Sequence, residues 1–270
     1  MVYDINKSST KNLKKLVFDA VEHAGVIALD YEKKELKHWY KSKSQPVTDA
    51  DIKINSYLKD FLKKVTPNFG WLSEESIDDG SRLEKSTFWC LDPIDGTRSF
   101  IEKKPEYAIS LALVVKSRPI FGVIYNPRTK EMFSAEKEKG AYCNEKKLKV
   151  NDKNFLEECN LAISQSEYKK INKYFLYERS QIITMGSIAY KIALVAKGNI
   201  DITLSLTQKS DWDLAAASLI LEEAGGIITQ KNGNPINYNT NNLSVSSVIA
   251  SNKIIHKNLV HQIKKYEEKY

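Results

Sequence analysis

A chain of 270 residues with 42% hydrophobic and 10% aromatic residues has the makeup of an ordinary globular protein, with room for one large domain or two closely packed halves. Its longest apolar run, Tyr107 to Val115, is far too short to span a bilayer, and Met1 to Lys15 is too polar for a signal-peptide core. The formal charge of +7 comes from lysines scattered over nearly every predicted helix, with no basic stretch interleaved with aromatics. A cytoplasmic protein with neither membrane nor nucleic acid as partner is therefore expected.

Cys90, Cys143 and Cys159 are odd in number and lack metal-type spacing, so they are expected to be reduced, structural thiols. In chain order, Asn12 to Tyr31 carries an apolar stripe of Leu13, Leu16, Val17, Ala20, Val21, Ala24 and Ala28. It is expected to be a helix capped by Ser8, Ser9 or Thr10. Ser44 to Asp51 follows, with Thr48 and Asp51 at capping-box spacing ahead of a second helix whose apolar face is Ile54, Leu58, Phe61, Leu62 and Val65. Phe69 to Ser73 leads into Glu74-Glu75 at a strand end, where adjacent side chains point to opposite faces and normally one serves a shared site. Ile77 to Lys85 is polar and acidic and reads as a mobile surface loop.

Phe88 to Leu91 is a short buried strand that ends in Asp92-Pro93-Ile94-Asp95-Gly96-Thr97. Pro93 stiffens the turn between the two aspartates, Gly96 permits a sharp bend, and Thr97 to Lys103 is expected to open a helix. Ala108 to Val115, Ile120 to Tyr125 and Glu131 to Ala135 read as successive strands of an antiparallel meander, with a short hairpin over Ala141 to Val150.

From Asn151 the rhythm becomes alternating strand and helix. Strands are expected at Leu161 to Ser164, Gln181 to Thr184, Asp201 to Ser205, Ile227 to Gln230 and Val248 to Ser251. Helices are expected at Glu167 to Tyr177, Ser187 to Lys197, Leu214 to Ala224 and from Lys253 onward. Ser210 or Asp211 caps the helix that follows Asp213, Gly225-Gly226 ends it, and Asn232 to Ser246 is an Asn-rich loop. The expected division is an N-terminal half, residues 1–150, and a C-terminal half, residues 151–270.

Asp92, Asp95 and Asp213, with one member of the Glu74-Glu75 pair, offer a set of four carboxylates with no cationic side chain adjacent in any motif. Gathered together they would repel one another unless cations were bound. An all-oxygen set without Cys or His favours Mg²⁺ over Zn²⁺.

Asp92-Pro93-Ile94-Asp95-Gly96-Thr97 resembles the central signature of the inositol monophosphatase superfamily of metal-dependent, lithium-sensitive phosphatases. Glu74-Glu75-Ser76 upstream and Trp212-Asp213-Leu214-Ala215-Ala216 downstream complete the pattern over Pro46 to Gly226. The resemblance implies a mixed α+β and α/β fold, a layered αβαβα sandwich in which an antiparallel sheet with helices precedes an α/β half. It implies two or three Mg²⁺ per site, one held by Glu74, Asp92 and the Ile94 carbonyl and a second by Asp92, Asp95 and Asp213. It assigns Glu74 and Thr97, with Asp51 in support, to the attacking water, and the Gly96 and Thr97 N–H groups to the phosphate. Glu75 supports Glu74, Gly186, Ser187 and Ile188 line the alcohol side, and Ser166 is a further substrate-binding residue. The partner is a small phosphorylated substrate, and homodimers are common in such a family.

The superfamily includes inositol monophosphatases, bisphosphate nucleotidases, histidinol phosphatases and fructose bisphosphatases. Pro46-Val47-Thr48-Asp49-Ala50-Asp51 resembles the nucleotidase form, and Ile163-Ser164-Gln165-Ser166 resembles its Ser-Arg-Ser stretch with Gln165 in place of Arg. Leu206 stands where inositol monophosphatases carry a glutamate, whereas Asp92-Pro93-Ile94 is their spelling. The expected activity is that of a bacterial-type 3'(2'),5'-bisphosphate nucleotidase, with inositol-1-phosphate hydrolysis as the alternative.

Overall fold

The computed structural model describes residues 7–42, 45–171 and 182–269. The first helix, α1 (Lys7–Glu32), begins earlier than its apolar stripe. Ser8, Ser9 and Thr10 therefore lie inside it rather than capping it, because the helical backbone extends past the apolar stripe that set the expected start. A hairpin of β1 (His38–Ser42) and β2 (Gln45–Thr48), which the sequence reading did not include, leads to α2 (Asp49–Val65). Thr48 caps α2, with Asp51 returning the bond in the expected capping box.

Next come β3 (Gly70–Ser73), β4 (Thr87–Asp95), the five-residue helix α3 (Thr97–Ile101), β5 (Ala108–Val115), β6 (Arg118–Asn126), β7 (Glu131–Glu136), β8 (Ala141–Cys143) and β9 (Lys146–Lys147). These strands form one seven-stranded sheet in sequence order, antiparallel except for the β3–β4 pair. Strand β4 alternates strictly. Phe88 and Cys90 join the core on one face, and Trp89 and Leu91 join the core on the other, against α1 and α2.

The rest of the chain supplies β10 (Leu161–Ile163), α4 (Tyr168–Ile171), β11 (Ile182–Thr184), α5 (Ile188–Ala196), β12 (Ile202–Ser205), β13 (Lys209–Ser210), α6 (Asp211–Glu223), β14 (Gly226–Thr229), β15 (Ser244–Val245), β16 (Val248–Asn252) and α7 (Lys253–Glu267). The helix expected to Tyr177 is seen over α4, and residues 172–181 lie outside the described residues, as does Ser44. Five strands form a mixed sheet in the order β11-β10-β12-β16-β14. The apolar helices α5 and α6 are buried against both sheets, sharing a core with Phe88, Ile124 and Phe133 on one side and Ala162, Val248 and Ala250 on the other. Ile255, Leu259 and Ile263 of α7 cover the far face of the second sheet.

The layers therefore run α1/α2, first sheet, α5/α6, second sheet, α4/α7, which is the expected αβαβα order. No described helix is long and apolar enough to cross a membrane. The three cysteines are buried and free.

Ile77 to Lys85 is mostly exposed, as expected of a surface loop, but it carries a short 3-10 turn over Ser81–Glu84 in which Arg82 is only 1% exposed. A guanidinium is buried there because acceptors surround it.

Candidate active site

The site grows from the end of β4. Asp92 continues the face of Phe88 and Cys90 toward α6, whereas Asp95, an odd number of residues on, would fall on the opposite face of a regular strand. The ladder with β5 instead slips between the Asp92–Ser110 and Asp95–Ala108 pairs, and the bulge returns Asp95 to the same side. Asp92 Oδ1 accepts from the Ile94 N–H at 3.0 Å, and Thr97 Oγ1 donates to the Ile94 carbonyl at 3.1 Å, which closes the turn. Gly96 lies in the left-handed region at φ 95°. A Cβ there would stand 2.8 Å from the Glu106 carbonyl and 3.1 Å from the Ser187 nitrogen, so neither the dihedral nor the space admits a side chain.

Helix α6 brings the third carboxylate. Ser210 is its N-cap, and the Ser210 N–H donates to Asp213 Oδ2 at 2.6 Å, which fixes that aspartate at the third helical position. Helix α5 anchors Asp95: Asp95 Oδ2 accepts from Ser187 Oγ at 2.5 Å and from the Ala189 N–H at 2.6 Å. Ser187 adopts φ 51° to do so and also caps α5 through Tyr190. Gly186 allows this turn to press on α3, since a Cβ would meet Ser99 Oγ at 2.1 Å.

Asp92, Asp95 and Asp213 thus bring carboxylate oxygens within 4.8 Å of one another. Each gives one oxygen to the protein and leaves the other without a protein hydrogen bond among the described residues. Burial first, then mutual repulsion, raises the carboxyls of Asp92 and Asp213, Asp213 to about 7. Asp95 is raised by burial against the bonds from Ser187 and Ala189. Three convergent carboxylates, each with one oxygen not taken up by the protein, fit a hard divalent cation, and their repulsion is what such an ion would relieve.

Of the other expected residues, Glu74 and Asp51 lie within electrostatic reach of Asp92. Glu74 stands at the end of β3, within electrostatic reach of Asp95, but its Oε1 is 3.4 Å from Lys41 Nζ, which also binds Glu75 Oε1 at 2.5 Å. The two glutamates thus share one lysine. Asp51 Oδ2 accepts from the Thr48 N–H at 2.8 Å and from Thr48 Oγ1 at 2.5 Å, while its Oδ1 is buried without a partner, and burial pushes its carboxyl up to about 8. Ser166 is exposed, 3.1 Å from Ser164 Oγ, and Ile188 is buried in the core with α5.

Sequence reasoning missed the cations. Lys41 lies on the unforeseen β1 strand. Lys191 interrupts an otherwise apolar α5, which was a readable signal; it is 2% exposed, donates to the Met185 carbonyl at 3.3 Å, and burial lowers it to about 8. Glu167, fully buried, accepts from Ser164 and Ser205 hydroxyls, each at 2.7 Å, and from the Leu206 and Thr207 N–H groups at 2.6 Å and 3.1 Å. Lys191 and Lys209 are close enough to favour the charged forms of both Glu167 and Asp95. A separate cavity of 750 Å³, lined by Phe18, Phe121, Met132 and Tyr142, includes none of these groups.

Comparison with known proteins gives a consistent result. A family model described as the inositol monophosphatase family matches residues 9–268. Human inositol monophosphatase 1 is 28% identical over 253 residues, covering 89% of this chain and 90% of its own. The 3'(2'),5'-bisphosphate nucleotidase CysQ of Haemophilus influenzae is 30% identical over 207 residues, 74% of this chain and 77% of its own. Among solved structures, the extragenic suppressor protein SuhB of Bartonella henselae superposes with a TM-score of 0.82 at 29% identity, covering 94% of this chain and 99% of its own.

Proposed function

The chain belongs to the inositol monophosphatase family and is a metal-dependent phosphatase, and from that premise we propose that it cleaves a nucleoside 3'(2'),5'-bisphosphate with Mg²⁺ held by Asp92, Asp95 and Asp213. The observation that carries the reading is the trio of two buried aspartates, Asp92 and Asp95, and the half-buried Asp213, each with one oxygen left over by the protein among the described residues. Glu74 and the Ile94 carbonyl complete the ligand set in this reading, with two or three ions per site. Bound Mg²⁺ supplies phosphate neutralisation and a water acidified toward neutral pH. The chain's own groups do the rest. Glu74 and Thr97 hold the attacking water, and a carboxylate takes its proton, with Asp51 behind them. The Gly96 and Thr97 N–H groups face the phosphate oxygens, and Ser187 steadies Asp95.

The nucleotide is favoured by charge. Lys191 and Lys209 lie close enough to act on both Glu167 and Asp95, and in this reading they are the cations offered to a second phosphate once the metal ions neutralise the aspartates. Inositol 1-phosphate is the second reading, because Gln165 offers no cation and Glu167 already occupies the Leu206 and Thr207 N–H donors.

The test is phosphate release with Mg²⁺ from 3'-phosphoadenosine 5'-phosphate and from inositol 1-phosphate, with lithium as inhibitor and Lys209→Met as a probe. The expected result is a kcat/KM at least tenfold higher for the nucleotide, about 1.4 kcal/mol in transition-state binding, with Lys209→Met losing rate on that substrate selectively. A tenfold preference for inositol 1-phosphate overturns the nucleotide reading and leaves the phosphatase standing.

A further inference from the structure

The segment between Glu74 and β4 holds a group that the hydrolytic chemistry does not use. Arg82 is 1% exposed, a costly position for a guanidinium unless its donors are matched. Its Nε donates to Asp78 Oδ1 and Oδ2 at 3.2 Å and 3.1 Å, and its Nη2 donates to Asp78 Oδ2 at 3.0 Å. Those bonds are local, four residues away. The remaining ones are not: Nη1 donates to Asn239 Oδ1 at 2.6 Å and Nη2 to the Thr240 carbonyl at 3.0 Å.

Asn239 passes the contact on. Its N–H donates to Asp211 Oδ2 at 2.7 Å, and the Asp211 N–H donates to the Leu243 carbonyl at 3.1 Å. Lys209 and Ser210 pair with Val245 and Ser244. The stretch from Asn239 to Val245 therefore wraps the first turn of α6, the turn that carries Asp213. The loop holding Arg82 is anchored at one end by β3, which leads to Glu74, and at the other by β4, which carries Asp92 and Asp95. Arg82 closes a ring that joins the two halves of the carboxylate set.

We infer that Arg82 is a positioning residue for Asp213, acting through Asn239 and Asp211 to hold the start of α6 at the distance from β4 that a divalent cation requires. Mg²⁺ demands near-ideal geometry, and three carboxylates with no ion between them push apart. Another tie near the site, Ser110 Oγ to the Trp212 carbonyl at 3.3 Å, is a single neutral bond. The Arg82 fork is rigid and spans two acceptors, so lysine does not replace it. The inference rests on the reading of Asp213 as a metal ligand.

The experiment measures Mn²⁺ binding to metal-free, full-length protein from the electron paramagnetic resonance signal of the free ion, beside the melting midpoint in chelator. Arg82→Lys keeps the charge and loses the fork. Asn239→Gly suits the φ of 58° and removes the acceptor. Lys197→Met, which breaks the surface pair with Glu131, is the control for lost stability alone. Both site variants are expected to bind Mn²⁺ at least tenfold more weakly than the control at a matched loss of melting midpoint. Raised Mg²⁺ should restore their kcat.

Should Arg82→Lys fail to fold, Asn239→Gly decides alone. Mn²⁺ affinity equal to that of the control overturns the inference. Asp213→Asn separates the two levels: if it binds Mn²⁺ like the wild type, the ligand reading itself has failed.

Discussion

Ser187 shows how a single side chain ties fold to chemistry. Its hydroxyl caps α5 and, from a left-handed backbone, donates to Asp95. Ser187→Ala should cost about 1 kcal/mol of stability as a lost cap. It should cost more in turnover, because Asp95 then keeps only the Ala189 N–H and gains rotational freedom. Urea denaturation beside phosphate release checks this; equal, small losses in both would show that the hydroxyl serves the helix alone. Asp92, Asp95 and Gly96 were legible in the sequence, because the strand, the turn and the glycine each point to the same bend. The bond from Ser187 to Asp95 was not, since the partners are 92 residues apart and nothing local in either segment demands the other. The same holds for Lys41 and the glutamate pair.

Among the elements, strands and amphipathic helices came out of periodicity in kind and order, with ends several residues off in α1 and β4. β5 matches its expected range, and α2 starts from the capping box that Thr48 and Asp51 announce. What periodicity could not show were the β1–β2 hairpin and the folding of residues 77–85, because both are polar and their order comes from distant partners.

Helix α7 adds a pH dependence of its own. Its His256 lies against Thr229 Oγ1 at 2.9 Å, and burial alone lowers its pKa to about 4. The unfolded chain titrates near 6.5, so the histidine leaves stability untouched above that value. Below it the unfolded state takes up the proton first, and stability falls until about pH 4, by on the order of 3 kcal/mol. Denaturation midpoints between pH 7 and pH 4 should show this slope in the wild type and lack it in His256→Leu. A slope that survives the substitution would assign it to the carboxylates.

At the scale of the molecule, five alternating layers place the start of α6 against the end of β4, so that residues 118 positions or more apart in sequence meet in one cluster, with Asp95 buried and Asp213 half-buried. The layered architecture was readable from the family signature and the change of rhythm near Asn151. The strap from Arg82 to Asn239 was not, because an arginine in an acidic loop looks like any solvated charge until its partners from the second half arrive.

The central claim is that this cluster exists to hold Mg²⁺ for phosphoester hydrolysis. The most direct measurement takes chelator-stripped protein and follows phosphate release from 3'-phosphoadenosine 5'-phosphate and inositol 1-phosphate as Mg²⁺ is returned, for the wild type and Asp95→Asn. The account predicts no turnover without metal, a saturable return of activity on at least one substrate with Mg²⁺, and loss of at least two orders of magnitude in Asp95→Asn. Turnover that persists in chelator, or an Asp95→Asn variant as active as the wild type, would contradict it.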